Sequence, residues 1–264
     1  MKLLFLGSGS AFTVGAGNYQ ANMLLIDPQQ NKLLIDCGSD IRFSLHDAGF
    51  SHKDITDIYI SHLHADHVGG LEYIGLATLF DPACSRPNLY GSKDVLGEIW
   101  ERSLSGGMRS LGNDIADLHT FFKAHKVDYQ ASFCWQDLTL QLVRVIHIHN
   151  GYHLMPSYGL FGEIAGLKVF ITTDTQLRLE ENGPYYEAAD IIFHDCETAA
   201  RPSTVHATYA ELCNLPAALR RKLWLYGYQP GPLPDAVADG FCGFVKRGQC
   251  FEFAAGQVTV TLPG

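Results

Sequence analysis

Four side chains that can bind a metal ion fall within the six residues from His62 to His67, the other two being His64 and Asp66. The run directly follows residues 57–60, which the sequence predicts to be a strand. If the strand continued, His62 and His64 would project to the same face, and a loop could bring Asp66 and His67 to a second point nearby. Imidazole nitrogens and carboxylate oxygens suit Zn²⁺, Mn²⁺ or Fe²⁺, and two such ions about 3.5–4 Å apart can share a hydroxide. We therefore expect a site for one or two ions, with Zn²⁺ first and Mn²⁺ or Fe²⁺ as alternatives.

The alternative interpretation is that these histidines belong to a polar surface loop. A single His-x-His pair would favour it. Four ligand types directly after an apolar strand favour a metal site, and Gly69 and Gly70 would let the backbone pass close to the ions.

The surrounding pattern predicts two β-rich halves with helices interspersed. Expected strands cover 2–6, 21–26, 32–35, 57–60, 138–148, 158–163, 167–171, 190–193 and 223–226, and expected helices cover 40–49, 70–80 and 208–215. This arrangement predicts an α/β (α+β) fold, a four-layer αββα sandwich. We expect a single domain over residues 1–264, with a mainly helical insert at about 92–128.

Composition limits the cellular setting. Of the 264 residues 47% are hydrophobic and 18% charged, which is ordinary for a globular protein, and no apolar run reaches the roughly 18 residues of a membrane span. The apolar start at 2–6 is too short for a signal peptide, so we expect a cytoplasmic protein. Seven dispersed cysteines without a Cys-x-x-Cys pair indicate neither a disulfide framework nor a thiolate zinc site.

The net charge of −9 bears on the substrate. Proteins that hold long nucleic acids usually carry a basic stripe, and no such cluster is visible here. We therefore do not expect long nucleic acid as a partner. A small anionic substrate remains compatible, because a bound divalent ion dominates the local field.

Residues 60–71, which contain the metal run, resemble the signature of the metallo-β-lactamase superfamily. Residues 6–10 are similar to the first turn of its ribonuclease Z and phosphodiesterase branch, and 34–38 resemble the strand and turn before the metal loop. Residues 170–175 are similar to the later strand whose aspartate bridges both metals. The resemblance implies this role for Asp174, whose alternative role would be capping a helix.

Three further segments, 39–45, 156–160 and 228–231, resemble the anti-Pycsar proteins. These relatives of ribonuclease Z hydrolyse cyclic nucleotides. The resemblance implies a cyclic mononucleotide phosphodiesterase that forms a homodimer.

A third histidine should complete the first metal site, and His147, His149 and His153 are available. His147 fits the ligand position of the anti-Pycsar group and is preferred. His153 precedes Gly159 by a spacing similar to that in ribonuclease Z, so it remains the alternative. His149 would share a strand face with His147, but we expect it to support the site or lie in a loop.

Residues 194–197 and 205–207 resemble the ribonuclease Z segments that supply an acid and a histidine for proton transfer. The resemblance implies that His206 protonates the leaving oxygen, that Asp195 orients His206, and that Asp66 couples to the pair through the metal shell. The alternative for Asp195 is a cap at a strand end. His194 is expected to be structural, and Asp36 is expected to support the metal ligands.

The chain departs from the family pattern at two positions. The family places a final metal-binding histidine where this sequence has Gly227, and Thr208 stands where related sequences carry another histidine. A second metal would keep only Asp66, His67 and Asp174, so we expect it to bind more weakly.

The leading hypothesis is a metal-dependent phosphodiesterase that uses a metal-bound hydroxide on a small phosphodiester, such as a cyclic mononucleotide. A ribonuclease Z-type endonuclease acting on transfer RNA precursors is the first alternative, but the basic, glycine-rich arm that it needs is absent from the sequence. A degenerate relative that binds metal or nucleotide without turnover is the second.

Overall fold

The computed structural model describes residues 1–15, 17–152 and 154–263. The strands are β1 (Lys2–Gly7), β2 (Asn22–Ile26), β3 (Lys32–Ile35), β4 (Asp57–Ile60), β5 (Asn88–Ser92), β6 (Ser110–Leu111), β7 (Asp114–Ile115), β8 (Lys123–Val127), β9 (Ser132–Trp135), β10 (Leu138–His149), β11 (Leu154–Ile164), β12 (Leu167–Ile171), β13 (Ile191–Asp195), β14 (Leu223–Tyr226), β15 (Gly243–Phe244), β16 (Cys250–Ala254) and β17 (Gln257–Thr261).

The helices are shorter and lie between the strands. They are α1 (Ile41–Asp47), α2 (Ala65–Val68), α3 (Leu71–Phe80), α4 (Lys93–Ile99), α5 (Ser105–Met108), α6 (Leu118–Phe121), α7 (Leu179–Ala188), α8 (Tyr209–Cys213) and α9 (Ala217–Arg220), with a 3₁₀ turn at His52–Asp54 and a π-helical turn at Trp100–Leu104. Within the described ranges, no helix is both long and apolar enough to cross a membrane.

The strands form two mixed sheets. In the first the order is β17-β16-β1-β2-β3-β4-β5-β8, and in the second it is β15-β14-β13-β12-β11-β10-β9. Pairing is parallel from β3 through β8 in the first sheet and from β12 through β15 in the second. Parallel neighbours end at the same sheet edge, so the loops that follow them gather there.

Aromatic side chains fill the space between the sheets. The ring of Phe193 on β13 lies 5.4 Å from that of Phe5 on β1 and 4.7 Å from that of Phe251 on β16. Farther along, Tyr59 on β4 stacks on Phe133 of β9 at 5.9 Å. A second apolar cluster lies on the outer face of the second sheet, under α7 and α8. Sheets facing each other with helices outside confirm the predicted αββα sandwich.

Several elements were not expected from the sequence. The strand β8 falls inside the segment predicted to be mainly helical, and it pairs in parallel with β5 over Asn88–Ser92. Around it the segment holds α4, α5 and α6. The sequence pattern also did not predict the C-terminal hairpin of β16 and β17. In the structure β16 extends the first sheet by pairing with β1. Short strands of this kind are determined by their sheet neighbours more than by local propensity. The single-domain boundaries stay a prediction.

The packing of Phe193 generates a stability prediction. Phe193 is 0% exposed, so Phe193→Ala should lower the free energy of unfolding by about 3–5 kcal/mol, because it leaves a cavity between the sheets. Phe12→Ala is the matched control, since Phe12 is 86% exposed and its loss should change stability by less than about 0.5 kcal/mol. Urea denaturation measures both, and similar losses for the two variants would contradict this account of the core.

Candidate metal centre

The loops at the common sheet edge bring the predicted site residues together. Asp36 directly follows β3, His62 comes two residues after β4, Asp174 three residues after β12, and Asp195 ends β13. His147 enters from β10 of the second sheet. Residues that are distant in sequence thus meet, because the strands that carry them in the two sheets end at this common edge.

Three histidines and one aspartate form the first ligand cluster. The Nδ1 of His64 lies 3.1 Å from the Nε2 of His62 and 3.1 Å from the Nε2 of His147. The Oδ2 of Asp174 is 3.9 Å from each of these Nε2 atoms. Atoms about 2.0–2.1 Å from a tetrahedral Zn²⁺ are about 3.3 Å apart, so this spacing fits a single shared cation.

Hydrogen bonds on the far side of the rings fix which nitrogen faces the cluster. The Nδ1 of His147 donates to the Val205 carbonyl at 2.9 Å, and the Nδ1 of His62 donates to the hydroxyl of Ser61 at 3.0 Å. The Nδ1 of His67 donates to the Oδ2 of Asp36 at 2.7 Å. In the neutral form of each ring this places the proton on Nδ1 and leaves the lone pair of Nε2 for a metal.

Asp36 organises the start of the metal loop. Its carboxylate accepts the Ser61 backbone N–H and the Ser61 hydroxyl, both at 2.8 Å, in addition to His67. Its backbone has a φ of +61°, in the left-handed region. Asp tolerates this region better than most residues, although the geometry costs conformational energy. These contacts are the support that we expected from Asp36.

A second cluster combines Asp66, His67 and Asp174. The Nε2 of His67 lies 3.1 Å from the Oδ2 of Asp66 and 3.2 Å from the Oδ2 of Asp174. These contacts lack hydrogen-bonding geometry, and within the described residues this buried nitrogen has no hydrogen-bond partner. Because Asp174 belongs to both clusters, its position suits a ligand that bridges two ions.

The electrostatics of the two clusters favour a cation. Burial lowers the pKa of His62 well below its usual value and that of His64 below its usual value, so both rings are neutral ligands at neutral pH. Burial alone would also lower the pKa of His67, but the charges of Asp174, Asp66 and Asp36 outweigh burial and raise it well above its usual value. The same carboxylates would attract a divalent ion.

His206 and Asp195 form a pair beside the first cluster. The Nδ1 of His206 lies 2.6 Å from the Oδ2 of Asp195, and its ring is 4.8 Å from that of His147. Burial lowers the pKa of His206, yet the charge of Asp195 and the hydrogen bond to it prevail and raise the pKa to about 10. Asp195 therefore keeps the His206 ring protonated and oriented.

Some sequence expectations need correction. His149 is exposed whereas His147 is buried, because the register of β10 shifts between Ile146 and His149 and separates the two rings. The prediction that they share a strand face is therefore wrong. The alternative prediction that Asp174 caps a helix is also wrong, because α7 begins later, with Arg178 at its N-cap position. His153, the alternative third ligand, lies outside the described residues.

His194 takes the structural place that we expected. Its Nε2 lies 2.6 Å from the hydroxyl of Tyr186, away from the clusters. Gly227 has a φ of +78°, and a Cβ built on it would lie only 2.6 Å from the Oδ1 of Asp195. Thr208 caps α8 by accepting the Glu211 N–H.

Sequence reasoning missed Gln176 and Arg178. The side-chain amide of Gln176 donates to the His147 carbonyl at 2.8 Å, and Arg178 donates to the Gln176 side chain at 2.6 Å. Both line a cleft of 430 Å³ that His206 also lines. Their closeness in sequence to Asp174 was the available signal, since a loop that carries a ligand also carries its neighbours to the site.

Comparisons with known proteins identify the family of the chain. The family model for the anti-Pycsar protein Apyc1 matches residues 1–251. The anti-Pycsar protein Apyc1 of Paenibacillus harenae is 31% identical over 236 residues, which cover 86% of this chain and 90% of that protein. The chain belongs to the anti-Pycsar Apyc1 family. The resemblance predicted from the sequence is therefore confirmed.

Solved structures share the fold of this Apyc1 family member. The metallo-β-lactamase fold protein YhfI from Bacillus subtilis superposes with a TM-score of 0.72 at 16% identity, over 95% of this chain and 99% of that one. The short form of human tRNase Z has a TM-score of 0.66 at 19% identity, over 96% and 99%. At these identities the likeness shows the metallo-β-lactamase fold alone.

The contacts of Asp36 generate a prediction on metal affinity. Asp36→Asn keeps a side chain that tolerates the left-handed backbone but weakens the bonds that orient Ser61 and His67. Metal affinity should fall by about 10–100-fold, measured by competition with a chromophoric chelator. Asp190→Asn, an exposed site remote from the clusters, is the control. Equal affinity in Asp36→Asn and the native chain would refute this role.

The His206–Asp195 pair generates a prediction on pH dependence in the metal-free protein. Because the folded pKa of about 10 exceeds the unfolded value of about 6.5, protonated His206 stabilises the fold fully below about pH 6.5. This stabilisation should be lost as the pH rises from there through about 10. Denaturation at several pH values should show the loss in the native chain, and His206→Gln should lack that component. An identical pH profile in the two proteins would exclude the shifted pKa.

Proposed function

We propose that this chain is a metal-dependent phosphodiesterase that hydrolyses a small phosphodiester, specifically a cyclic mononucleotide. The observation that carries the proposal is the convergence of His62, His64, His147 and Asp174, whose ligand atoms all lie within 4.8 Å of one another. Membership of the anti-Pycsar family supports the cyclic nucleotide, because that family is expected to act on such substrates.

The residues fit a metal centre. His62, His64 and His147 would hold the first ion, Asp66 and His67 the second, and Asp174 both. Bound Zn²⁺, or Mn²⁺ or Fe²⁺ in its place, would polarise the phosphoryl oxygens and supply a nucleophile at neutral pH. The buried His67 Nε2, which lacks a hydrogen-bond partner among the described residues, supports this assignment.

His206 is the proton donor in this proposal. Its Nδ1 is hydrogen-bonded to the carboxylate of Asp195, so the proton on Nε2 is available for transfer to the oxygen that leaves phosphorus. The raised pKa keeps that proton in place at neutral pH. Asp195 acts as a positioning residue, because it holds the ring and stabilises its charge.

The neighbouring cleft supports a small anionic substrate. Its 430 Å³ lies within the about 300–1,000 Å³ of small-molecule sites. Arg178 and protonated His206 line it and provide positive charge for a phosphate, and the carboxylate of Glu211, which also lines it, accepts from Thr208. By family resemblance we also propose a homodimer, and the cytoplasmic location stays a prediction.

The alternatives have less support. A ribonuclease Z-type activity would share this fold, but the net charge of −9 and the lack of a basic stripe in the sequence disfavour a transfer RNA substrate. A non-catalytic binding protein is suggested by Gly227. The ordered Asp195–His206 pair favours an enzyme, because metal binding alone does not require a proton donor.

Turnover tests the proposal. Protein loaded with Zn²⁺ or Mn²⁺ should hydrolyse 3′,5′-cyclic mononucleotides and bis(p-nitrophenyl) phosphate. His64→Ala should abolish turnover, and His206→Gln should lower kcat by about 10²–10⁴-fold with metal content unchanged. His149→Ala is the matched control, an exposed histidine on the same strand as His147, and should behave as the native chain.

Two outcomes would contradict the proposal. No hydrolysis of any panel member by fully loaded protein would favour the binding protein. Cleavage of a transfer RNA precursor, without action on the cyclic nucleotides, would favour the ribonuclease Z-type alternative.

A further inference from the structure

A further group of potential metal ligands lies at the C-terminal end of α3. It consists of His52, Asp81 and Cys84, whose ligand atoms all lie within 4.8 Å of one another. The helix α3 starts at Leu71, close to His67 in the chain, and its ten residues rise about 1.5 Å each, so its end lies about 15 Å from its start. The group shares no residue with the metal centre described above.

Local structure brings the three side chains together. His52 begins the 3₁₀ turn, which a capping box fixes, and its ring meets that of Tyr73 on α3 edge-on, with 6.3 Å between the centroids. Asp81 is the C-cap residue of α3. The backbone N–H of Cys84 donates to the Asp81 carbonyl at 2.9 Å, so a tight turn holds the thiol beside the carboxylate. The site is therefore built from two short turns and one helix end.

The spacing and the ligand types suit Zn²⁺. The Nε2 of His52 lies 3.3 Å from the Oδ2 of Asp81, which is about the separation of two ligand atoms around a tetrahedral Zn²⁺. A thiolate with an imidazole favours Zn²⁺ over Mg²⁺ or Ca²⁺, which prefer oxygen ligands. The side chains of His52 and Asp81 are 20% and 19% exposed, so an ion can reach them from solvent.

Lys53 competes with a cation for this site. Its Nζ lies 2.8 Å from the Oδ2 of Asp81, but its side chain is 59% exposed, so the ammonium can move into solvent. The Oδ1 of Asp81 accepts the backbone N–H of Ala83 at 3.0 Å, which orients the carboxylate. Burial and the charge of Asp81 raise the pKa of the Cys84 thiol, and a bound ion must displace that proton. Binding therefore exchanges one ammonium and one proton for one divalent ion.

We propose that His52, Asp81 and Cys84 form a separate Zn²⁺ site, the α3 site, which joins the 3₁₀ turn to the end of α3. One imidazole nitrogen, one carboxylate oxygen and one thiolate bind the ion, and water takes the fourth position. On binding, the thiol loses its proton to solvent and the ammonium of Lys53 leaves Asp81. The inference goes beyond the proposed function and does not depend on it.

Co²⁺ in place of Zn²⁺ tests the α3 site without reference to turnover. A Co²⁺–thiolate bond gives a charge-transfer band in the near ultraviolet, and the ligand groups of the metal centre contain only histidine and aspartate. Titration of the apo protein with Co²⁺ should give this band when the α3 site fills, and Cys84→Ser should abolish it. Cys134→Ser is the matched control, because Cys134 is exposed and outside the site, and it should keep the native band.

The remaining residues of the α3 site give changes in opposite directions. His52→Gln and Asp81→Asn should each weaken Co²⁺ binding by at least about tenfold, since even a group that only supports a metal ligand contributes that much. Lys53→Met should tighten Co²⁺ binding by up to about fivefold, because it removes the competing charge. Added Zn²⁺ should displace Co²⁺ and remove the band. A circular dichroism spectrum like that of the native chain shows that each variant is folded.

Three results would overturn the proposal. The first is the absence of the band in the native chain at saturating Co²⁺. The second is a band that Cys134→Ser removes and Cys84→Ser retains. The third is native affinity in both His52→Gln and Asp81→Asn, which would mean that the thiol binds the ion alone. An inactive protein that shows the expected band would count against the phosphodiesterase and retain the α3 site.

Discussion

The carboxylate of Asp36 is the contact on which the metal loop depends. It is buried behind the ligands and binds Ser61 twice and His67 once. Ser61 in turn accepts from His62, so one carboxylate orients histidines of both clusters. Because its bonds reach Ser61, directly after β4, and His67 in α2, the loop cannot shift without breaking several buried bonds at once. The left-handed backbone of Asp36 is the conformational cost of this arrangement.

Sheet topology supplies the remaining order. Parallel strands end at one edge in both sheets, and the sandwich places these edges together through contacts such as Phe5 with Phe193. Asp174 and Asp195 follow or end neighbouring strands of the second sheet, while His62 follows a strand of the first. The carboxylates gathered there raise the pKa of His67 and would attract a divalent ion, and the neutral His62 and His64 rings offer lone pairs instead of donors. Structure and electrostatics therefore agree on metal binding.

Much of the fold and of the site could be predicted from the sequence. The metal-binding residues 62–67 are close together in the chain, and the segments that surround them in space resemble motifs of a known family. The αββα fold, the family and the position of Asp36 behind the ligands were all accessible. The separation of His147 from His149 was not, because it depends on a register shift within β10. The environment of Asp195 Oδ1, which lacks a hydrogen-bond partner among the described residues, was also inaccessible, since it results from the joint placement of Asp195 and Gly227. Gln176 and Arg178 carry no motif and gain meaning only from the cleft that they line.

Anomalous diffraction from crystals grown with Zn²⁺ tests the central claim most directly. Data collected above and below the zinc edge should show a peak bounded by His62 Nε2, His64 Nδ1 and His147 Nε2, with Asp174 beside it. Such a peak would establish that these side chains bind a metal. Their nitrogens engaged in hydrogen bonds, with no anomalous peak among them at saturating Zn²⁺, would contradict the account at its foundation.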